Sequence, residues 1–435
     1  MVAMKKVIIV GLGYVGTPVA CCFADAGFNV VGIDVVQSKI EMINRGESPI
    51  KGKEPGLDEL LKKVHKAGRL KATDDYSECK GAYAILVMVE TPVDEENIPR
   101  YAALRSALAS VGKNLRSGTL VCIESTIAPR TTVDLVKPIL EKESGLKAGE
   151  DFFLAHCPER LRAGVLLEAI TDYNKIIGGI NEKSTKKAHE LYKKIIKAKI
   201  YLTDSLTAEV VKTTENAYRD TQIAFANELA YLCEELGINV FDVRKLVNTS
   251  PGRAMHFPGS GVGGHCLPKD PWLLLYGSGE TFDPKIIPAA REINDSMPYH
   301  MIDLAEEAMG ESNVEPKDAK VAIMGYAFIE DSDDTRNTPA EPVVQHFIKS
   351  GSKVIVHDPY VKEVEGIDLT RDINEALEGA DCAIFVTGHS RYSNLRVKNL
   401  HQKMRTPIII DGRDIFDRSK CIKEGFLYKG VGKKN

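Results

Sequence analysis

The stretch from residue 6 to residue 34 constrains the fold more strongly than any other part of the chain. An apolar run, Lys6–Val10, leads into Gly11-Leu-Gly13-Tyr-Val-Gly16, then a helical pattern that stops at Gly27, then a second apolar run that ends at Asp34. Strand, glycine-rich turn, helix, strand and acid within about 30 residues are typical of a dinucleotide-binding unit. The pattern therefore predicts a Rossmann-like domain whose glycines let a pyrophosphate approach a helix N-terminus.

The acid at the end of the second strand indicates which dinucleotide binds. Asp34 can accept hydrogen bonds from the ribose hydroxyls, whereas its charge would repel a 2′-phosphate. We therefore expect NAD rather than NADP as the cofactor.

The α/β pattern continues to about residue 204. Small hydroxyl residues, Thr91 and Thr126, follow the apolar runs Ala82–Val89 and Leu120–Ile123, where a doubly wound sheet holds its ligand. Further strands are predicted at Phe152–Ala155, Ile176–Ile180 and Lys199–Leu202.

The same pattern returns near the C-terminus. A strand at Lys320–Met324, a helix at Glu341–Lys349 and a strand at Lys353–Val356 that leads to Asp358 repeat the order of the first domain. The glycine fingerprint is missing, and a charged loop, 329–336, takes its place. The sequence predicts a second Rossmann-like domain that contacts another ligand, or another part of the same one.

A long helical pattern, Thr207–Leu236, separates the two domains and would run roughly 45 Å. Lys212, Asn216 and Arg219 project from one face of it. A further helix is expected at Ile286–Met309, interrupted at Pro298. The predicted division is an NAD-binding domain at 1–204, a central helical domain at 205–309 and a C-terminal domain at 310–435.

A glycine-rich loop between these helices presents a cysteine. Four glycines lie between residues 258 and 264, and His265 and Cys266 follow. Because glycine lets a ligand or another backbone come close, Cys266 is interpreted as a nucleophile, although an ordinary turn with an incidental cysteine fits the loop alone.

Composition excludes several classes of protein. A net charge of −4 argues against nucleic-acid binding, and no apolar run approaches the ~20 residues of a membrane span. The nine cysteines are an odd number, with no C-x-x-C pair and no even-spaced framework, which fits a reducing cytoplasm. We therefore expect a cytoplasmic protein without a structural metal.

An NAD domain combined with a reactive cysteine suggests a particular oxidation. A thiolate attacks an aldehyde to give a thiohemiacetal, hydride loss gives a thioester, and water releases the acid. Lys212 is a candidate for stabilising the thiolate, and Glu159 and Asp270 for moving protons.

These motifs together resemble the UDP-glucose/GDP-mannose dehydrogenase family, NAD-dependent enzymes that oxidise the C6 alcohol of a nucleotide-sugar to a carboxylate. The resemblance covers nearly the whole chain and is strongest for the UDP-N-acetyl-D-mannosamine branch. It rests on Gly11–Gly16, Glu124–Thr126, Cys157–Arg160, Ala208–Arg219, Ile223–Glu228, Gly261–Asp270, Asp334–Arg336 and Asp411–Arg413.

The resemblance implies a role for each matching residue. Cys266 would be the nucleophile, Lys212 and Asn216 would stabilise the oxyanion, and Glu159 and Asp270 would assist proton transfer and thioester hydrolysis. The nucleotide-sugar would contact Arg160, Leu161, Lys212, Asn216, Arg219, Arg253, His256, Gly263, Phe328 and Arg413. NAD would contact Gly11, Gly13, Tyr14, Val15, Gly16, Asp34, Lys39, Thr91, Thr126 and Arg336. The central helices would form the interface of a homodimer or a larger homo-oligomer.

Two departures from the family pattern concern the sugar. Ile329 stands where the family has a lysine, so that cation is absent unless Lys269 or another cation substitutes for it. Arg162-Ala163-Gly164 stands where the family has Leu-Pro-Gly. UDP-glucose and UDP-N-acetylglucosamine are therefore alternative substrates, and a catalytically silent NAD- or nucleotide-sugar-binding protein is an alternative function. A zinc alcohol dehydrogenase using His156-Cys157 and His265-Cys266 is disfavoured, because adjacent ligands fit one tetrahedral ion poorly.

Overall fold

The computed structural model describes residues 4–50, 54–161, 164–279 and 282–433. The chain divides into two compact units, and each is described by itself. The first contains residues 1–215 and 272–282, and the second contains residues 216–271 and 283–435. The predicted three-domain division stays a prediction.

The first unit is built on an eight-stranded sheet with strand order β3-β2-β1-β4-β5-β6-β7-β8. The strands are β1 (Lys6–Val10), β2 (Asn29–Ile33), β3 (Leu70–Thr73), β4 (Ala84–Val87), β5 (Leu120–Ile123), β6 (Phe153–His156), β7 (Lys175–Gly179) and β8 (Ile200–Asp204). The first six strands are parallel in the order of a dinucleotide-binding fold. Strand β7 pairs antiparallel to β6, and β8 is parallel to β7, a reversal that the sequence did not predict.

Helices cover both faces of this sheet. They are α1 (Gly16–Asp25), α2 (Gln37–Asn44), α3 (Leu57–Lys66), α4 (Ala102–Asn114), α5 (Lys137–Ser144), α6 (Leu166–Asp172) and α7 (Glu182–Tyr192). A π-helical turn, Thr132–Val136, precedes α5, and a 3-10 turn spans Tyr76–Cys79. The side chains of the central strands β1, β4 and β5 are buried on both faces, which explains why these strands are nearly continuous apolar runs.

The second unit contains a parallel six-stranded sheet with order β11-β10-β9-β12-β13-β14. Its strands are β9 (Lys320–Met324), β10 (Lys353–His357), β11 (Leu369–Thr370), β12 (Cys382–Phe385), β13 (Ile408–Asp411) and β14 (Leu427–Gly430). This order matches that of the first six strands of the other sheet. The expected α/β class with two Rossmann-like, doubly wound domains and a central helical region is therefore confirmed.

The long helix α8 (Ser205–Leu236) begins two residues before its predicted start, and the boundary between the units falls within it. The later helices are α9 (Val240–Val247), α10 (Asp270–Tyr276), α11 (Ile286–Glu311), α12 (Ala340–Lys349), α13 (Ile373–Leu377), α14 (Ser390–Ser393), α15 (Val397–His401) and α16 (Arg418–Lys423), with a 3-10 turn at Pro316–Asp318.

The expected interruption at Pro298 is wrong. Helix α11 runs through this proline and ends at Glu311, two residues beyond its predicted end at Met309. An interior proline costs about 3 kcal/mol. Pro298 and its neighbour Met297 are buried with much of the rest of α11, and that apolar burial offsets the lost hydrogen bond.

Candidate active site

The glycine-rich turn of the first unit has a separate physical reason for each glycine. A Cβ on Gly16 would lie 1.8 Å from the Gly11 carbonyl oxygen, and one on Gly11 would lie 2.6 Å from that of Met88. A Cβ on Gly13 would meet no heavy atom of the described chain within 4 Å. The outer two glycines thus close the turn against the protein, and the backbone at Gly13 is left open to a ligand.

Asp34 organises this turn by accepting hydrogen bonds from its backbone. Its Oδ2 accepts the Leu12 N–H at 2.7 Å, and its Oδ1 accepts the Val36 N–H at 2.9 Å. Lys39 lies 3.7 Å from the same carboxylate. The carboxylate is 8% exposed, and each oxygen keeps a lone pair for a further donor.

The other expected cofactor residues lie near the carboxyl ends of neighbouring strands or at the start of α1. The Thr91 hydroxyl donates to the Thr126 carbonyl oxygen at 2.6 Å, which brings the loops after β4 and β5 together. Val15 directly precedes α1, and the Tyr14 hydroxyl donates to Glu54 at 2.6 Å. The turn, the acid and this sheet edge fit a dinucleotide.

Glu159 lies in a buried charged cluster that the sequence did not reveal. Lys175, at the start of β7, forms a short ion pair with Glu159 and lies 3.7 Å from Glu124. The Tyr192 hydroxyl donates to Glu124 in another short hydrogen bond. The only sequence signal for Lys175 was a lysine directly before an apolar run, which is usually a solvated strand end.

The residues around Glu159 fix the local backbone. Arg160 forms a bidentate pair with Glu215 and donates to the Asn174 carbonyl oxygen at 3.1 Å. Leu161 packs against the core of the first unit. Arg162 and Ala163, the departure noted from the sequence, lie outside the described residues.

Lys212 is half-buried on α8, and its charge acts on the buried imidazole of His156. Burial, and then the charges of Lys175 and Lys212, lowers the pKa of His156 to about 3. Neither ring nitrogen of His156 has a hydrogen-bond partner in the described part of the chain. His156 is therefore neutral at physiological pH.

Cys266 lies in the second unit. Of the nine cysteines of the chain it is the exposed one, and the other eight are buried. The Asp270 N–H donates to the Cys266 carbonyl oxygen at 2.8 Å, so the cysteine lies one turn before α10. The Asp270 carboxylate accepts from Asn216 at 2.5 Å and pairs with Lys269 at 2.8 Å. The structure thus places the side chains of Asp270, Asn216 and Lys269 in contact, one helical turn after Cys266.

The glycines before Cys266 are required by packing within this unit. A Cβ on Gly263 would lie 2.5 Å from the Phe328 Cβ, and one on Gly264 would lie 2.7 Å from the Phe328 ring. A Cβ on Gly259 would lie 2.6 Å from an Arg413 guanidinium nitrogen, and one on Gly261 would lie 3.0 Å from Pro298. Of the two reasons for bare backbone that the sequence left open, a ligand or another part of the chain, the structure shows the second at these four glycines, where an added Cβ would meet protein atoms.

The remaining predicted residues of the second unit differ in their burial and in their charged neighbours. Arg413 donates to the Val386 carbonyl oxygen at 2.9 Å, and burial lowers its pKa. Burial, then the charges of Arg219 and Arg244, lowers the pKa of His256. Arg253 is exposed, and the Arg336 guanidinium pairs with Asp334.

Three models of one family match consecutive parts of the chain, described as the UDP-glucose/GDP-mannose dehydrogenase family NAD binding domain (residues 5–196), central domain (206–296) and UDP binding domain (322–418). The chain belongs to the UDP-glucose/GDP-mannose dehydrogenase family. It is an NAD-dependent nucleotide-sugar dehydrogenase, and the expected family, enzyme class and cofactor are confirmed.

Individual relatives match along the full chain. The UDP-N-acetyl-D-mannosamine dehydrogenase of Pyrococcus horikoshii is 39% identical over 98% of this chain and 99% of its own. The solved structure of that protein superposes with a TM-score of 0.92 over 99% of both chains. An NDP-N-acetyl-D-galactosaminuronic acid dehydrogenase from Methanosarcina mazei is 44% identical, with a TM-score of 0.91 over 100% of this chain and 96% of its own.

No group of three or more histidine, cysteine, aspartate and glutamate side chains in the described part of the chain could hold a metal ion. None of the helices described there has both the length and the hydropathy of a membrane span.

Proposed function

We propose that the protein oxidises the C6 alcohol of UDP-N-acetyl-D-mannosamine to the uronic acid, a four-electron reaction that yields two NADH. The relatives named for this substrate support the proposal, since several are 34–39% identical over nearly the whole chain. The observation that carries the reaction type is the exposed Cys266 on a turn fixed to Asp270, in a chain that also has the NAD turn.

A cysteine explains why the oxidation would continue past the aldehyde. NAD, when bound, supplies the hydride acceptor for both oxidations. The Cys266 thiolate adds to the C6 aldehyde carbon to give a thiohemiacetal, which becomes a thioester on loss of hydride and a proton. Water then adds to the thioester carbon, the C–S bond breaks, and the uronic acid and the thiol are released.

The neighbouring polar groups would manage charge and protons during these steps. Lys212 and Asn216 would stabilise the oxyanion on the substrate oxygen. Asp270, held between Asn216 and Lys269, and Glu159, held by Lys175, would accept protons from the alcohol and from water.

The binding residues carried over from the family are proposed on the same basis. The nucleotide-sugar would contact Arg160, Leu161, Arg219, Arg253, His256, Gly263, Phe328 and Arg413 in addition to Lys212 and Asn216. NAD would contact the turn Gly11–Gly16, Asp34, Lys39, Thr91, Thr126 and Arg336.

A second candidate substrate has a specific observation behind it. The Methanosarcina mazei relative, named for N-acetyl-D-galactosaminuronic acid, is 44% identical. Ile329 is 44% exposed in place of the family lysine, and Lys269 is 5% exposed and paired with Asp270. Lys269 pairs with Asp270, and with Ile329 in place of the family lysine the sugar site would have one positive charge fewer than the family pattern.

Oligomerisation through the long helix is also proposed. Tyr218, Phe225 and Leu232 recur every seven residues on α8 and are 63%, 58% and 50% exposed. Such a stripe would be covered by a second copy of the chain.

The absence of C-x-x-C pairs from the sequence supports a cytoplasmic location.

A substrate panel tests the proposed function. The protein is mixed with NAD and, separately, with UDP-N-acetylmannosamine, UDP-N-acetylgalactosamine, UDP-N-acetylglucosamine and UDP-glucose, and NADH absorbance is followed. The highest kcat/KM is expected for UDP-N-acetylmannosamine. Preference for the galactosamine sugar would select the second candidate, and no NADH with any of the four would favour a silent binding protein.

A further inference from the structure

The cluster around Lys175 contains more buried charge than a solvated strand end. Glu124 is 3% exposed, Lys175 is 4% exposed and Glu159 is 9% exposed. One ammonium group thus faces two carboxyl groups away from water. A buried ammonium can neutralise one carboxylate, and leaving a second anion there would cost several kcal/mol.

The reversal of β7 explains how this lysine reaches the functional edge of the sheet. Strand β7 runs antiparallel to β6, with His156 opposite Gly178. Continuing that register places Lys175 opposite Glu159. In a parallel strand the first residue would lie at the other edge, away from the carboxyl ends where ligands bind.

The contacts distinguish the two acids. Glu159 pairs directly with the Lys175 ammonium, whereas Glu124 Oε2 lies 3.7 Å from it and has no hydrogen-bond partner in the described chain. The other Glu124 oxygen accepts the Tyr192 hydroxyl. With Glu159 paired to the single ammonium, a second ionised carboxylate at Glu124 would be uncompensated in this buried site, which favours the protonated acid at Glu124.

The pKa directions agree with this geometry. Burial, and then the charge of Glu159, raises the pKa of Glu124 well above its usual range despite the opposing effect of Lys175. Burial alone would lower the pKa of Lys175, but the two carboxyl groups outweigh it and the pKa is raised. The other titratable groups that face the cluster are Cys122 on β5, His156 on β6, Cys157 after it, Tyr192 on α7 and Cys22 on α1.

We propose that Lys175 is a positioning residue that holds the Glu159 carboxylate ionised and oriented as a base, while Glu124 stays protonated beside it. The inference rests on the proposed role of Glu159 in proton transfer. It assigns a purpose to a buried lysine and to a buried acid, Glu124, that the proposed reaction steps do not otherwise use.

The pH dependence of kcat with UDP-N-acetylmannosamine tests the proposal in three variants. Lys175→Met removes the cation, so the acidic limb of the profile should move to higher pH by about one unit or more. Glu124→Gln removes the neighbouring acid, so the acidic limb should move to lower pH or stay in place, and it should not move to higher pH. Lys175→Arg keeps a cation and should keep the wild-type limb. A Lys175→Met enzyme with kcat reduced equally at every pH would overturn the proposal, because that result indicates packing alone.

An infrared measurement keeps the proposal testable where Lys175→Met does not fold or no sugar is oxidised. The wild-type-minus-Glu124→Gln difference spectrum at pH 8 should contain the carbonyl stretch of a protonated carboxylic acid. Its absence would overturn the proposal. By contrast, a fully active Glu159→Gln variant with that band still present would overturn the catalytic role of Glu159 and leave the protonated Glu124 established.

Discussion

At the scale of single residues, the three glycines of the cofactor turn show how one motif serves two purposes. Gly11 and Gly16 are required by the protein itself, since added Cβ atoms would collide with carbonyl oxygens. Gly13 has no such neighbour in the described chain. The motif in the sequence predicted the site, and only the structure separates folding glycines from the ligand-facing one.

Replacing Gly13 with Ala should therefore weaken cofactor binding and leave the fold intact. The Kd for NAD, measured by calorimetry, is expected to rise about tenfold or more, because the methyl group occupies the space that the pyrophosphate needs. The melting temperature should stay within a degree or two of wild type. Gly16→Ala serves as the contrast and should fold poorly. Wild-type NAD affinity in Gly13→Ala would contradict this account.

The neutral, buried His156 predicts a loss of stability in mild acid. Its pKa is about 3 in the folded chain against an ordinary value of 6.5, so only the unfolded state takes up the proton as the pH falls below about 6.5. Stability is then lost at about 1 kcal/mol per pH unit until the pH nears the folded value. At pH 8 this contribution is fully present.

His156→Leu should melt near the wild-type temperature at pH 8, because neither ring nitrogen gives up a described hydrogen bond. Between pH 6.5 and pH 4 its melting temperature should fall less steeply than that of the wild type. Parallel curves over that range would show that His156 does not cause the acid sensitivity.

At the scale of elements, the strands were predictable because they are buried on both faces. The apolar runs gave β1, β2, β5 and β9 with the observed bounds. The direction of β7 and the continuation of α11 through Pro298 were missed, because both depend on tertiary packing that no local pattern encodes. Lys175 was missed with β7, since its partners are distant in sequence.

The loop before Cys266 is the element for which the structure adds most to the reason why glycine is needed. Gly263→Ala would place a methyl group 2.5 Å from the Phe328 Cβ and 2.7 Å from the Asn337 carbonyl oxygen. Overpacking of this kind costs about 1–3 kcal/mol, which chemical unfolding can measure.

The matched control is Gly310→Ala. Gly310 is an exposed helical glycine whose added Cβ meets no described atom within 4 Å. It should be neutral or gain up to about 1 kcal/mol from the better helix propensity of alanine. If the two variants have equal free energies of unfolding, the loop accommodates the added methyl group and packing does not explain why residue 263 is glycine.

At the scale of the whole molecule, the exposed stripe on α8 predicts self-association. Phe225→Asp puts a charge at its centre, and light scattering after size exclusion should show a shift from dimer or larger to monomer. Ile422→Asp, at another exposed apolar position on α16, should leave the mass unchanged. A monomeric wild type, or an unaffected Phe225→Asp protein, would contradict the proposed interface.

The central claim is that Cys266 carries the substrate through two successive oxidations. The most direct measurement is the number of NADH formed per UDP-N-acetylmannosamine consumed, with the sugar limiting and the product identified by mass. We expect two NADH and the uronic acid, with no acid from a Cys266→Ala protein that still binds NAD. A ratio of one, with the aldehyde released, would contradict the account.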